Sequence, residues 1–174
     1  MNIQQQQFTY SAVSTAFTPG ATPVDIFSIT GSATSNVYVQ KMGISTTQGA
    51  DGVNAFFIAK RSSANTGGTS AAPGIVTYDS NNPVATASVL QYTVNPTGAG
   101  VLVGYAWGGW VSSPVITTVS AGLIGIEVDF VTAYGQPIAL LSASEVLAWN
   151  FKGAALPGGL SVIAYVVWTE SSKT

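Results

Sequence analysis

An all-β fold is what this sequence predicts: two antiparallel sheets packed as a sandwich, in the form of a jelly roll of about eight strands. Three observations carry that expectation. Turn-forming residues punctuate the chain roughly every 8–12 residues, the spacing of sandwiches and barrels, with 19 Gly and 8 Pro among them. Apolar residues recur with period two, and i, i+3, i+4 spacing is scarce; only residues 143–148 have helix-forming character before Trp149-Asn150-Phe151 returns the pattern to strand. Parallel strands need helical crossovers, and the sequence offers none.

Residues 1–22 read as a polar N-terminal arm, with Gln4 to Gln7 ahead of Phe8, and residues 23–174 as one sandwich domain. Residues 24–30 (VDIFSIT) form a strand that stops at Gly31. Residues 37–45 (VYVQKMGIS) lead into Gly49-Ala50-Asp51-Gly52. Asp-Gly tolerates positive φ, so residues 53–61 are expected to return on 37–45 as a hairpin. Residues 62–83 are a long polar excursion with a short strand at 75–78, and residues 88–94 precede Asn95-Pro96-Thr97-Gly98. In residues 101–111 (VLVGYAWGGWV) the glycines mark a bulge or a close approach of backbone. Residues 123–131 alternate cleanly, Ile124, Ile126, Val128 and Phe130 against Gly125, Glu127 and Asp129, as in a strand with one buried and one wet face. Residues 137–141, 146–151 and 160–169 complete the set, with Leu147, Trp149 and Phe151 sharing a side. In the last strand Leu160, Val162, Ala164, Val166 and Trp168 alternate with Ile163, Tyr165 and Val167. Both faces are apolar, so this strand is central or has its second face covered by another chain.

Charge is sparse. Five Lys plus Arg and seven Asp plus Glu give a net of -2 over 174 residues; a soluble domain of this length carries roughly 40 charges. At 17.8 kDa a folded monomer has about 8,000 Å² of surface, or about 650 Å² per charge. Uncharged polar residues must cover part of the exterior and other protein the rest. His and Cys are both absent, which removes the usual proton shuttle, thiolate nucleophiles, disulfides, zinc-thiolate sites and iron–sulfur clusters. Neither cofactor nor metal is expected. A pI near 4.7 and five cationic side chains argue against nucleic acid, which requires clustered Lys and Arg. Mean hydropathy is +0.37, yet no run approaches the ~18 apolar residues of a spanning helix. The N-terminus lacks the cationic and apolar parts of a secretory signal, and no uniformly apolar lipid face of an outer-membrane barrel is visible. No membrane partner is expected, and the product stays where it is made or travels inside an assembly.

Side chains that could carry chemistry are few. Glu127 and Asp129 share a strand face about 7 Å apart, a spacing that glycoside hydrolysis uses; the plainer reading is the solvated side of an amphipathic strand. Asp79-Ser80-Asn81-Asn82-Pro83 gathers oxygens that Ca²⁺ could use, but it lacks a calcium loop's spacing, and such residues also close turns on their own backbone. Gly67-Gly68 and Gly158-Gly159 lack the Lys-Ser/Thr that a phosphate loop needs. A Ser nucleophile without His would need a Lys base, and Lys41, Lys60, Lys152 and Lys173 stand in no recognised pairing. No enzyme is predicted. Trp107 and Trp110 lie on opposite faces of a regular strand; a bulge at Gly108-Gly109 could bring them together, and otherwise one leaves the core. An outward Trp on a charge-poor strand has the look of an interface anchor. Trp107, Trp110, Tyr165 and Phe8 are the candidate interface residues.

Three stretches, Arg61-Ser-Ser-Ala-Asn-Thr-Gly-Gly-Thr-Ser, Tyr78-Asp-Ser-Asn-Asn-Pro-Val-Ala-Thr-Ala and Tyr92-Thr-Val-Asn-Pro-Thr, resemble small structural proteins of tailed bacteriophages. The ending from Leu156-Pro-Gly-Gly-Leu-Ser-Val to Trp168-Thr-Glu is similar to theirs as well. The resemblance covers about the last two-thirds of the chain and implies a virion component, a jelly-roll capsid decoration or cement protein. Proteins of that type sit as homotrimers on the head, bind the major capsid protein and clamp its neighbouring subunits. It further implies a product made in the host cytoplasm and located on the capsid surface. Two other readings stay open: a tail, neck or fibre-base module, and a carbohydrate-binding jelly roll.

Overall fold

The computed structural model describes residues 6–47, 52–113, 124–156 and 158–173. Within them lie β1 (Phe8–Val13), β2 (Asp25–Thr30), β3 (Ser35–Thr47), β4 (Gly52–Arg61), β5 (Thr69–Ala71), β6 (Ile75–Thr77), β7 (Ser88–Val94), β8 (Leu102–Ser113), β9 (Ile124–Asp129), α1 (Phe130–Tyr134), β10 (Ile138–Leu140), β11 (Val146–Asn150) and β12 (Ser161–Ser172). Two six-stranded antiparallel sheets pack as a sandwich. The first runs β10-β3-β12-β1-β6, with β9 also on β3; the second runs β5-β7-β2-β11-β4-β8. Early strands pair with late ones: β1 with β12, β2 with β11, β3 with β9 and β4 with β8.

Period-two alternation sends one side of each sheet into the core. Val162, Ala164, Val166 and Trp168 of β12 are fully buried, as are Val37, Val39 and Met42 of β3. Facing them from the second sheet are Ile26, Phe56, Ile58, Leu147 and Trp149. Tyr10 stacks on Trp168 at 5.6 Å between ring centroids, while Trp107 meets Trp149 edge-on at 5.9 Å. Trp149 Nε1 donates to the Gly43 carbonyl at 3.2 Å and Lys60 Nζ to the Ala139 carbonyl at 2.9 Å, both across the sandwich. The last strand is central in its sheet, between β3 and β1; its second apolar face lies on the outside, with Ile163 exposed and Tyr165 and Val167 half-buried.

The structure departs from the sequence expectations at several elements. Residues 8–22, read as arm, belong to the sandwich: β1 sits between β12 and β6, and Tyr10, Ala12 and Phe17 are buried. The alternation Tyr10, Ala12 against Thr9, Ser11 carries this strand, and four glutamines beside it obscured the pattern. Residues 1–5, and residues 49–51 of the predicted turn, lie outside the described residues. The hairpin of 37–45 with 53–61 is not formed, because β3 and β4 lie in different sheets. One edge of β3 is taken along its whole length by β12 and the other by β9 and β10. Crossing over lets Val39 and Met42 face Phe56 and Ile58 through the core, where a hairpin would have placed them side by side.

The strand expected to reach residue 131 stops at Asp129, and one helical turn follows. Asp129 caps it by accepting from the Thr132 N–H at 2.9 Å, and Gly135 closes it at φ 75° with its N–H on the Val131 carbonyl. Phe130 is buried in either conformation's pattern, so alternation alone did not reveal the turn; the Asp-x-x-Thr cap and the following glycine are its signals. Through α1 the chain steps from β9 to β10 along the same edge of β3.

Candidate functional site

Two surfaces stand out. The first is the outer edge of β8. Its inner edge pairs with β4 from Gly52↔Ser113 to Arg61↔Leu102, and no described strand pairs with its outer edge. Sheet edges are normally defended by shortness, charge or proline. The other outer strands follow that rule: β5, β6 and β10 have three residues each, and β9 presents Glu127 and Asp129. By contrast β8 is 12 residues long and contains neither a charged residue nor a proline. Leu102, Val103, Tyr105 and Trp110 along it are exposed, Trp110 at 75%.

The two tryptophans of β8 separate. Trp107 pairs with Ile58, points inward and is half-buried against Trp149, while Trp110 pairs with Ala55 and leaves the core. The register slips at Ala106 and Val103, not at Gly108-Gly109. Those glycines serve the close approach instead: the Phe57 ring covers Gly108 and the Trp107 ring covers Gly109. The structure does not gather the four predicted interface residues. Trp110 belongs to the β8 edge, Tyr165 is half-buried on the outer face of the first sheet, and Phe8 packs half-buried against the core.

That outer face is the second surface. Tyr165 of β12, Gly43 of β3 and Glu127 of β9 are successive register partners. Glycine leaves room for the Tyr165 ring to lie across β3, since a Cβ on Gly43 would come within 2.0 Å of it. The Tyr165 hydroxyl donates to the Glu127 carboxylate. Burial, then that carboxylate, pushes the phenol well above its ordinary range. Lys41 lies between Glu127 at 3.5 Å and Asp129 at 3.4 Å. Its hydrogen bond to Asp129, with both negative charges, raises the ammonium pKa. The Thr132 N–H, assisted by Lys41, holds Asp129 below the usual carboxylate range. The pair read as two solvated carboxylates is thus bridged by a lysine.

The remaining charges are quiet too. Asp25 and Arg61 are buried together, with Nε to Oδ2 at 2.7 Å and Nη2 to Oδ1 at 2.8 Å. Glu170 is buried and accepts from the Ala87 N–H and Trp168 Nε1, each at 2.9 Å, and from the Thr86 N–H and hydroxyl. Lys60 meets Glu145 at 3.4 Å, the Lys152 ammonium lies 3.7 Å from the Phe57 ring centre, and Lys173 donates to the Ser32 carbonyl at 2.7 Å. Asp79 accepts from the Asn81 N–H at 2.9 Å, the turn reading of that segment. Asp51 lies outside the described residues. Sequence reasoning missed Tyr78, Gln40, Val103 and the Asp25–Arg61 pair, because partners far apart in the chain leave no local pattern.

No protein family matches this chain, and no match is found among curated proteins or solved structures.

Proposed function

We propose that this chain is a non-enzymatic structural subunit of a tailed-phage virion, a homotrimeric capsid decoration protein that binds the major capsid protein on the head surface. The outer edge of β8, unpaired among the described residues, is the observation that carries the reading. A 12-residue apolar edge in a charge-free strand is a template for another chain, and a subunit that works by contact has a use for it. Charge supports the same view: 8534 Å² of accessible surface over twelve charged side chains leaves about 710 Å² for each, and most of those charges are already partnered. Topology fits as well. The nested pairing of β1 with β12, β2 with β11, β3 with β9 and β4 with β8 supports reading the sandwich as a jelly roll, a long double ribbon rolled into two sheets, with β5, β6, β7 and β10 as additions. Contacts of about 1,600 Å² are enough for a specific interface, and repeated contacts on a lattice reinforce one another. A protein that binds only the assembled lattice stabilises it by mass action.

The test is co-sedimentation with heads purified from the phage whose genome carries this chain, with light scattering on the free protein. Trimers that bind heads are expected, with Trp110→Asp and Val103→Lys abolishing binding while circular dichroism is unchanged. A strict monomer that leaves heads bare refutes the proposal; density on the tail in micrographs of the virion moves the chain to the tail.

A further inference from the structure

The outer face of the first sheet carries a groove of about 450 Å³, within the ~300–1,000 Å³ of small-ligand sites. It crosses the strands. Val76, Ser11, Val167, Lys41 and Asp129 are successive register partners, and four strand spacings of ~4.8 Å make a path of about 19 Å. Thr9, Ser11 and Val167 form a low floor between two tyrosines, Tyr78 and Tyr165. Tyr78 follows β6 and is 63% exposed, whereas the Tyr165 ring is held over Gly43.

A second, independent feature points at the same place. Lys41 pairs with Val167 and Val39 with Trp168 on one edge of β3; on the other, Lys41 pairs with Asp129 and Val39 with Ile138. Gln40 is therefore the extra residue opposite β12, a bulge that lets Val39 and Met42, three apart, both face the core, and on the other edge it falls between the partners of β9 and β10. Bulges re-aim side chains beside functional sites, and the Gln40 side chain lines the groove. Its amide, with the hydroxyls of Thr9 and Ser11, makes no side-chain hydrogen bond to other described residues.

From this geometry we infer that the groove binds a neutral saccharide. A sugar presents an apolar C–H face and a rim of hydroxyls that both donate and accept. The groove offers the complement: an exposed aromatic ring at Tyr78, an amide at Gln40 with both donor and acceptor, and hydroxyls on the floor. Lys41 is already neutralised by two carboxylates, so an anionic ligand finds no free positive charge. A peptide adding as a strand needs an open sheet edge, and β1, β12 and β3 are paired on both sides here.

The site lies on the opposite sheet from β8, so it stands or falls apart from the capsid proposal. An array carrying neutral hexose and N-acetylhexosamine oligosaccharides beside sialylated and sulfated ones is probed with the full chain. Isothermal titration with the strongest neutral glycan then quantifies affinity. Tyr78→Ala and Gln40→Ala are expected to weaken binding about tenfold or more each, with unchanged circular dichroism and unchanged attachment to heads, while Trp110→Asp leaves glycan affinity intact. No neutral binder on the array, binding confined to acidic glycans, or full affinity in both groove variants overturns the inference.

Discussion

Replacing Arg61 with Met removes one member of a buried charge pair and leaves the other behind. Asp25 is fully buried, and four donors fill its carboxylate. Arg61 supplies two, at 2.7 and 2.8 Å, and the amides of Asn65 and Asn150 supply the others, at 2.8 and 2.6 Å. Arg61 also donates to the Gly100 carbonyl at 2.7 Å. This cluster ties β2, β4 and β11 to the loops at Asn65 and Gly100, and the Asp25 hydrogen bonds and charge raise the Arg61 pKa despite its burial. Arg61→Met deletes three hydrogen bonds and strands a carboxylate out of water, a change that costs about 3–5 kcal/mol. With total stabilities of about 5–15 kcal/mol, that is a large share. For a urea dependence of ~2 kcal/mol/M the unfolding midpoint falls by roughly 1.5–2.5 M. Measurements belong at one protein concentration, because association adds to apparent stability. The ordering is the sharper check: Asp25→Asn combined with Arg61→Met removes the stranded charge and should be more stable than Arg61→Met alone. A loss under about 1 kcal/mol for the single variant, or a double variant worse than the single, refutes the reasoning.

Glu170→Gln places an N–H₂ group among donors that now point at carboxylate oxygens. Stability should fall by about 1.5–3 kcal/mol, and hydrogen exchange at Ala87 should accelerate with it; unchanged protection there would contradict the role given to Glu170. Gly43→Ala puts a Cβ 2.0 Å from the Tyr165 ring, so the ring must leave β3. A cost of about 1–3 kcal/mol is expected, together with loss of the Tyr165–Glu127 hydrogen bond in the NMR spectrum. Tyr10 and Tyr165 both have phenol pKa values raised above 10. Above that pH the unfolded chain releases these protons before the folded one, so their contribution is complete below pH 10 and drains as pH rises through the folded values. Urea midpoints taken between about pH 9 and 11 should therefore descend, and Tyr165→Phe should flatten the descent; an identical slope would remove Tyr165 from the account.

Much of the fold was legible. Apolar alternation located β2, β7, β11 and β12 to within a few residues, because a half-buried strand must repeat every second position whatever its neighbours are. Pairing was not legible. The Asp51-Gly52 signal is local and describes a turn, whereas the partners of β3 are β12, β9 and β10, contributed by the C-terminal third of the chain. α1 escaped because a single turn replaces only two positions of an alternating pattern and Phe130 satisfies both.

For the candidate surfaces the division is similar. Composition by itself determined that charge is sparse and that thiol and imidazole side chains are absent, and strand parity that one of Trp107 and Trp110 leaves the core unless a bulge intervenes. Which tryptophan leaves, that β8 ends its sheet, that Lys41 neutralises Glu127 and Asp129, and that Gln40 bulges beside Tyr78 and Tyr165 were decided only by tertiary structure. The reason is range. Side-chain parity along a strand depends on adjacent residues, while register, edge position and burial of a charge depend on which distant strand lies alongside, and no local run of residues encodes that neighbour.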